Sequence, residues 1–165
     1  MPDPSRTYYE ACQGRWRAPA AITITDPAAL RTSGMSLLDR VSVRLLAIWP
    51  RWLGRVWLDT SVAFDARGDV VHTTVFRWAG IPLQRSVEIF ALDPDGHRFT
   101  VSGGMTGTGA IDPTGTRGEY ALRWLGMDIR QRTVREPDRV TIHQEGPGFR
   151  GDQVLLRVDS GGARA

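Results

Sequence analysis

The chain has 165 residues, 41% hydrophobic and 24% charged, which is the composition of one soluble globular domain. Its formal net charge is only +3, and its arginines are scattered rather than gathered into a nucleic-acid-binding module, so we expect no nucleic acid partner. All 21 basic residues are arginine, which excludes chemistry that requires a Schiff-base or phosphate-loop lysine.

The N-terminus and the cysteine content bear on the compartment. No apolar run approaches the roughly 18 residues needed to span a bilayer. Residues 1–5 lack the basic and apolar regions of a signal peptide. The single cysteine, Cys12, cannot form an internal disulfide, which agrees with a reducing compartment. We therefore expect a cytoplasmic protein.

A polar leader and a first strand open the chain. Residues 1–11 are interpreted as a polar leader with at most a short helical turn. The strand begins at Gly14 and continues to Thr25, with apolar residues at alternate positions. Because Pro19 has no backbone N–H to donate, we expect this strand to lie at an edge or to be bulged there.

A helical insert follows, over about residues 27–52. Asp26 is a capping residue for a short helix that has Pro27 at its first position. Ser36 caps a second helix, which continues to about Trp49 because a proline follows. The insert is therefore predicted to be a pair of short helices.

The second predicted helix is amphipathic. Its apolar arc consists of Leu37, Leu38, Val41, Leu45, Ile48 and Trp49. Arg40 and Arg44 lie along the edge of that arc. The apolar face is expected to pack on the mouth of a barrel. The alternative is that it contacts an anionic membrane surface or admits an amphipathic ligand past the arginines.

After Arg55 the sequence has the pattern of an antiparallel meander. Gly, Pro and Asp recur about every ten residues, and apolar and polar residues alternate between them. The strongest turn is Asp93-Pro94-Asp95-Gly96. We predict one mainly β domain over residues 1–165, with residues 160–165 a disordered tail. Its fold is an antiparallel meander β-barrel of about nine or ten strands with a helical lid between the first and second strands.

The opening of the first strand carries a resemblance to a known superfamily. Gly14-Arg15-Trp16, followed by a helical cap and a meander barrel, resembles the calycin superfamily, which includes lipocalins and fatty-acid-binding proteins. The resemblance covers residues 14–158 and implies that a small hydrophobic molecule is bound inside the barrel. It also implies that Trp16 closes one barrel end and stacks on an arginine, Arg157 or Arg150.

Polar side chains that point into such a barrel are the best site candidates. His72 shares one strand face with Phe76 and Trp78. Depending on the turn that follows, its cross-strand neighbour is Ser86, Val87 or Glu88. A His72–Glu88 pair would form an acid–base group. The alternative is a hydrogen-bonded core or rim histidine.

The remaining predicted lining residues are Arg85, Tyr120, Trp124 and Gln131. An inward Arg85 would pair with a ligand carboxylate, as the resemblance to fatty-acid-binding proteins implies. An outward Arg85 would face solvent.

His143 is predicted to point outward, because Val140, Ile142 and Gln144 form the expected inward set. Gly14-Arg15-Trp16 also resembles the opening of nitrobindin-type barrels, and this resemblance implies that in the reverse register His143 would be an axial haem ligand. Otherwise we expect no cofactor. The three histidines and one cysteine show no zinc-ligand spacing.

Three functions follow from this interpretation. The leading one is binding of a small hydrophobic or amphipathic ligand. The second is a cofactor-independent cyclase, isomerase or hydratase in which His72, Glu88 or Tyr120 moves a proton. The third is haem binding. A barrel filled by its own side chains is the structural alternative, and the oligomeric state is left open.

Overall fold

The computed structural model describes residues 3–32, 34–41, 43–44 and 55–158. Its elements, in chain order, are α1 (Pro4–Cys12), β1 (Gly14–Pro19), β2 (Ile22–Ile24), α2 (Pro27–Thr32), β3 (Val56–Phe64), β4 (Val70–Trp78), β5 (Ile81–Leu92), β6 (Arg98–Gly103), β7 (Thr106–Ile111), β8 (Arg117–Trp124), β9 (Met127–Glu136), β10 (Arg139–Gly146) and β11 (Phe149–Arg157).

The strands form one closed antiparallel barrel. From β3 to β11 each strand pairs with the next one along the chain, and β1 pairs with both β3 and β11. β2 continues along β11 beyond β1, so β1 and β2 are two pieces of one strand, and the barrel has ten strands. The break follows Pro19, where the sequence predicted an interruption. The predicted fold class is confirmed.

Both predicted helix caps in the insert are present. The Asp26 carboxylate accepts hydrogen bonds from the backbone N–H groups of Ala28 and Ala29, at 2.8 and 3.2 Å. Ser36 Oγ accepts from Asp39 N at 3.2 Å, and residues 37–41 and 43–44 are helical. The predicted end of this helix near Trp49 lies outside the described residues, as does the predicted tail.

The apolar arc of the second helix does not pack as predicted. Leu37, Leu38 and Val41 are 71%, 79% and 46% exposed, whereas Val43 is 1% exposed. The prediction that these three residues pack on the barrel mouth is therefore wrong. The helix is rotated so that the side bearing Val43 faces the core, where Met35 is also buried. Leu45, Ile48 and Trp49 lie outside the described residues.

The leader forms a helix of nine residues, longer than the short helical turn that the sequence indicated. The Asp3 carboxylate caps α1 by accepting from Arg6 N at 2.8 Å. Tyr8, Tyr9 and Cys12 point into the hydrophobic core and are at most 5% exposed. α1 therefore closes one end of the barrel.

Trp16 and Arg157 fasten α1 to the barrel. The Trp16 indole N–H donates to the Cys12 carbonyl oxygen at 2.7 Å. The Arg157 guanidinium carbon lies 4.4 Å from the centre of the Trp16 ring. The same guanidinium donates to the carbonyl oxygens of Ala11 and Gln13 at 2.8 and 2.9 Å. The structure thus assigns the stacking role to Arg157, the first of the two arginines that the resemblance implied.

Candidate functional site

The barrel encloses a cavity of about 150 Å³. Strand pairing shows which helical segment lies at each end of the cavity. At one end Val70 of β4 pairs with Phe90, whose ring lies 5.4 Å from that of Tyr9 in α1. At the other end Trp78 pairs with Val56, the first residue of the strand that follows the insert. The cavity therefore lies between α1 and the insert.

His72 and Glu88 face each other across β4 and β5 and both line the cavity. His72 Nδ1 lies 3.3 Å from Glu88 Oε2, and Ser86 Oγ donates to Glu88 Oε1. The Glu88 side chain is 2% exposed and that of His72 24%. Of the three neighbours that the sequence left open for His72, the structure selects Glu88.

The orientation of these groups limits their chemistry. The Ser86 hydroxyl donates to the carboxylate and not to the imidazole, so His72 is not placed to remove its proton. His72 Nδ1 faces Glu88. The other imidazole nitrogen, Nε2, is therefore the atom that would exchange a proton with a ligand. The pair is suited to binding a polar group or to exchanging a proton with it.

Four further predicted residues line the cavity: Phe76, Tyr120, Trp124 and Gln131. Trp78 is half-buried and is not among the lining residues, and it follows a register irregularity between Phe76 and Arg77. Arg85 is exposed, because its neighbours Gln84 and Ser86 occupy the inward positions of β5. The structure therefore does not bring Arg85 to the cavity.

Two groups of polar side chains converge inside the barrel. Tyr120, Gln131 and Gln144 were predicted to face inward, whereas Tyr8 and Tyr9 of α1 were not. At the α1 end, Tyr8 OH donates to Thr133 Oγ1 at 2.8 Å, and the hydroxyls of Tyr9 and Tyr120 are 3.4 Å apart. On β9 and β10, Gln144 Nε2 donates to Gln131 Oε1 at 2.6 Å. For the group at the α1 end, the sequence did contain a signal of an amphipathic helix: the cap Asp3-Pro4, followed by Tyr8 and Cys12 four positions apart.

Burial keeps the groups at the α1 end protonated. It raises the pKa of Tyr8 and of Tyr9 well above the ordinary value, and it raises the pKa of Tyr120 as well. Burial likewise raises the pKa of the Cys12 thiol to about 11. These side chains are therefore hydrogen-bonding groups near neutral pH, and Tyr120 is not suited to act as a base.

His143 lies on the outer face of the barrel. Its Nδ1 is 2.5 Å from an Asp152 carboxylate oxygen and its Nε2 is 2.9 Å from one of Glu145. The expected inward set of β10, Val140, Ile142 and Gln144, does line the cavity. With both ring nitrogens engaged outside the barrel, His143 does not fit the role of axial haem ligand. Within the described ranges, no group of three or more His, Cys, Asp or Glu residues is placed to hold a metal ion.

Taken together, the fold and the site define a closed antiparallel β-barrel with an internal cavity and a His–Glu pair at the cavity wall. No model of a known protein family matches the chain, and no curated protein matches it either. Among the described residues, no helix has the length and apolar character needed to cross a membrane.

Solved structures similar to this chain include two barrels. Fatty-acid-binding protein 1 of Echinococcus granulosus has 11% sequence identity and a TM-score of 0.48, over 90% of this chain and 98% of its own. A structure described as the REP1-NXSQ fatty acid transporter has 11% identity and a TM-score of 0.47, over 91% of this chain and 98% of its own.

Proposed function

We propose that the protein binds a small hydrophobic or amphipathic molecule inside its barrel. The observation that supports this proposal is the cavity of about 150 Å³, whose lining combines aromatic and aliphatic side chains with the polar groups of His72, Glu88 and Gln131. A mostly apolar enclosure with a few convergent polar groups is the usual form of a small-molecule site.

The size of the cavity restricts the ligand. Pockets for drug-sized molecules have volumes of about 300–1,000 Å³. The value here is about 150 Å³, which suits a small ring or one slender chain. A bulky prosthetic group such as haem does not fit this volume.

Native mass spectrometry tests the proposal directly. We expect the gently purified protein to carry an extra mass that is lost on unfolding. Thr60 is buried in the cavity lining, and Ser61 beside it is exposed. Thr60→Phe should abolish the extra mass and Ser61→Phe should retain it, because only the first substitution fills the cavity. A bare mass in the wild type, with no uptake of added hydrophobic probes, would contradict the proposal.

The insert offers a route of delivery. Leu37 and Leu38 are exposed, and so is Arg44 on the same helical segment, whereas Arg40 donates to the Arg31 carbonyl oxygen at 2.7 Å. An apolar and basic surface of this kind would contact an anionic membrane. We expect the protein to sediment with anionic vesicles and Leu37→Asp/Leu38→Asp to weaken that association. Equal sedimentation of wild type and variant would remove the membrane from the proposal.

A second candidate function rests on the His72–Glu88 pair. A carboxylate 3.3 Å from an imidazole at a cavity wall can fix the tautomer of that imidazole and so prepare it for proton transfer. A cofactor-independent isomerase, cyclase or hydratase would use His72 in this way. His72→Gln should then abolish turnover of a substrate while its binding persists. If the wild type shows no turnover and His72→Gln loses binding, the pair has a binding role alone.

A further inference from the structure

We infer that the polar end of the ligand is an uncharged hydrogen-bond donor, such as a hydroxyl, and not a carboxylate. This inference rests on the proposed function and concerns the same cavity. It follows from the charge of the lining, from the free acceptor positions of Glu88, and from the depth at which Glu88 lies.

Among the described residues, the cavity lining contains an acid but no arginine. In the part of the chain that the structure describes, Glu88 is the one carboxylic acid among the lining residues and His72 the one basic side chain. An anionic ligand end would therefore meet a carboxylate, and the basic side chain that the described lining offers is a histidine already paired with that carboxylate. Like charges in a partly dry enclosure repel strongly, so this lining disfavours fatty acids.

Three arginines on neighbouring parts of the barrel lie outside the cavity. Arg85 is exposed on the outer face of β5. Arg77 pairs with Asp59 at 2.9 Å, and neither residue lines the cavity. Arg157 is held by the α1 carbonyl oxygens and by the Trp16 ring. A ligand carboxylate would find none of these guanidinium groups at the cavity wall.

Glu88 retains capacity for a further donor. An ionised carboxylate offers about four lone-pair positions on its two oxygens. Ser86 and His72 use one position on each oxygen. A ligand hydroxyl that donates to a remaining position would stabilise a carboxylate that is otherwise almost completely withdrawn from water.

The position of Glu88 along the barrel sets the orientation of the ligand. Its partner His72 is six residues from Trp78, which places the pair roughly 20 Å along the strand from the insert end. Phe76 and Trp124 lie nearer that end and supply apolar walls. The ligand would therefore enter with its polar end towards α1 and leave its apolar part towards the insert.

Titration calorimetry with octanol and octanoate tests this inference, because the two probes share one chain and differ in charge. We expect octanol to bind at least about tenfold more tightly than octanoate near neutral pH. Equal or tighter binding of octanoate would overturn the inference but leave the proposed function intact. Failure of both probes, together with a bare native mass, would instead overturn the proposed function.

Glu88→Gln shows whether Glu88 is the cause. The variant keeps the shape of the side chain but removes its charge, so the preference for octanol over octanoate should fall by about tenfold. Glu119→Gln is the matched control, since Glu119 is exposed on the outer face, and it should leave the preference unchanged. An unchanged preference in folded Glu88→Gln would overturn the inference. If Glu88→Gln does not fold, the wild-type comparison still decides.

Discussion

At the scale of single residues, Asp59 holds two arginines on the outer face of the barrel. Its carboxylate accepts from Arg17 Nε at 2.6 Å and lies 2.9 Å from Arg77 Nε. The hydrogen bonds from Arg17, together with the charges of both arginines, lower the pKa of Asp59. The stability that this lowering contributes is present above the unfolded pKa and is lost as the pH falls through the folded pKa.

Asp59→Asn should therefore lower the free energy of unfolding by about 1 kcal/mol near pH 7, and the loss should shrink at an acidic pH well below the ordinary Asp pKa of about 3.9. Urea denaturation at both pH values measures the difference. Asp128→Asn, at an exposed strand position, is the control and should have little effect at either pH. A loss for Asp59→Asn that persists undiminished in acid would contradict the ion-pair explanation.

His143 gives a prediction of opposite sign. Asp152 and, secondly, Glu145 raise its pKa by hydrogen bonding to the imidazolium. The resulting stability is complete below the unfolded pKa of about 6.5 and is lost as the pH rises through the folded value. Because the side chain is 35% exposed, solvent screening limits the gain to less than about 1 kcal/mol.

NMR titration of the His143 ring should show a pKa above about 6.5, and Asp152→Asn should lower it. Glu10→Gln removes an exposed carboxylate on α1 and should leave the titration unchanged. If Asp152→Asn leaves the pKa of His143 unchanged, the contact between His143 and Asp152 is absent in solution.

From the sequence, Glu88 was only one of three possible cross-strand neighbours of His72. The reason lies in the turn that joins β4 to β5. Ala79 adopts a φ of 48°, and the register shifts between Phe76 and Arg77. A shift of one residue exchanges the two faces of a strand, so neither Glu88 nor Arg85 could be assigned to the cavity from alternation alone.

At the scale of elements, the attachment of α1 depends on the guanidinium of Arg157. Arg157→Lys should lower the free energy of unfolding by about 1–2 kcal/mol, because one ammonium cannot reproduce both carbonyl contacts and the stack on Trp16. Arg150→Lys, on the same strand and exposed, should cost less than about 0.5 kcal/mol. Equal costs in urea denaturation would contradict the fastening role.

Gly148 determines how α2 meets the turn between β10 and β11. It has a φ of +79°, and a Cβ there would overlap the Asp26 carbonyl oxygen and lie 2.6 Å from Leu30 N. Gly68 has a similar φ of +88° but open space around it. Gly68→Ala should cost about 1–2 kcal/mol for backbone strain alone, and Gly148→Ala clearly more. Comparable thermal denaturation of the two variants would contradict the close packing of α2.

The helices show where sequence reasoning succeeds and fails for elements. Capping is local, so Asp26 and Ser36 were recognised from the sequence alone. The leader was misread because Arg6 and Glu10 make it polar, although these two residues form a 3.1 Å ion pair on the exposed side of α1. The orientation of the second helix depends on its tertiary contacts, so the burial of Val43 in place of Val41 could not be predicted.

At the scale of the whole molecule, the barrel was predictable because its connections are short. Regular turn signals between alternating segments force neighbouring strands to be antiparallel, and closure follows when the first strand meets the last. The contents of the barrel were not predictable in the same way. Which polar groups converge inside depends on the register of ten successive pairings, from β3 to β11 and through β1.

The most direct test of a ligand-binding barrel is an NMR titration of the labelled protein with octanol. Trp124 lines the cavity, whereas Trp57 is on the outer face and 37% exposed. We expect the indole N–H signal of Trp124 to shift and saturate while that of Trp57 stays in place. A shift at Trp57 alone, or no saturable shift at Trp124, would contradict binding inside the barrel.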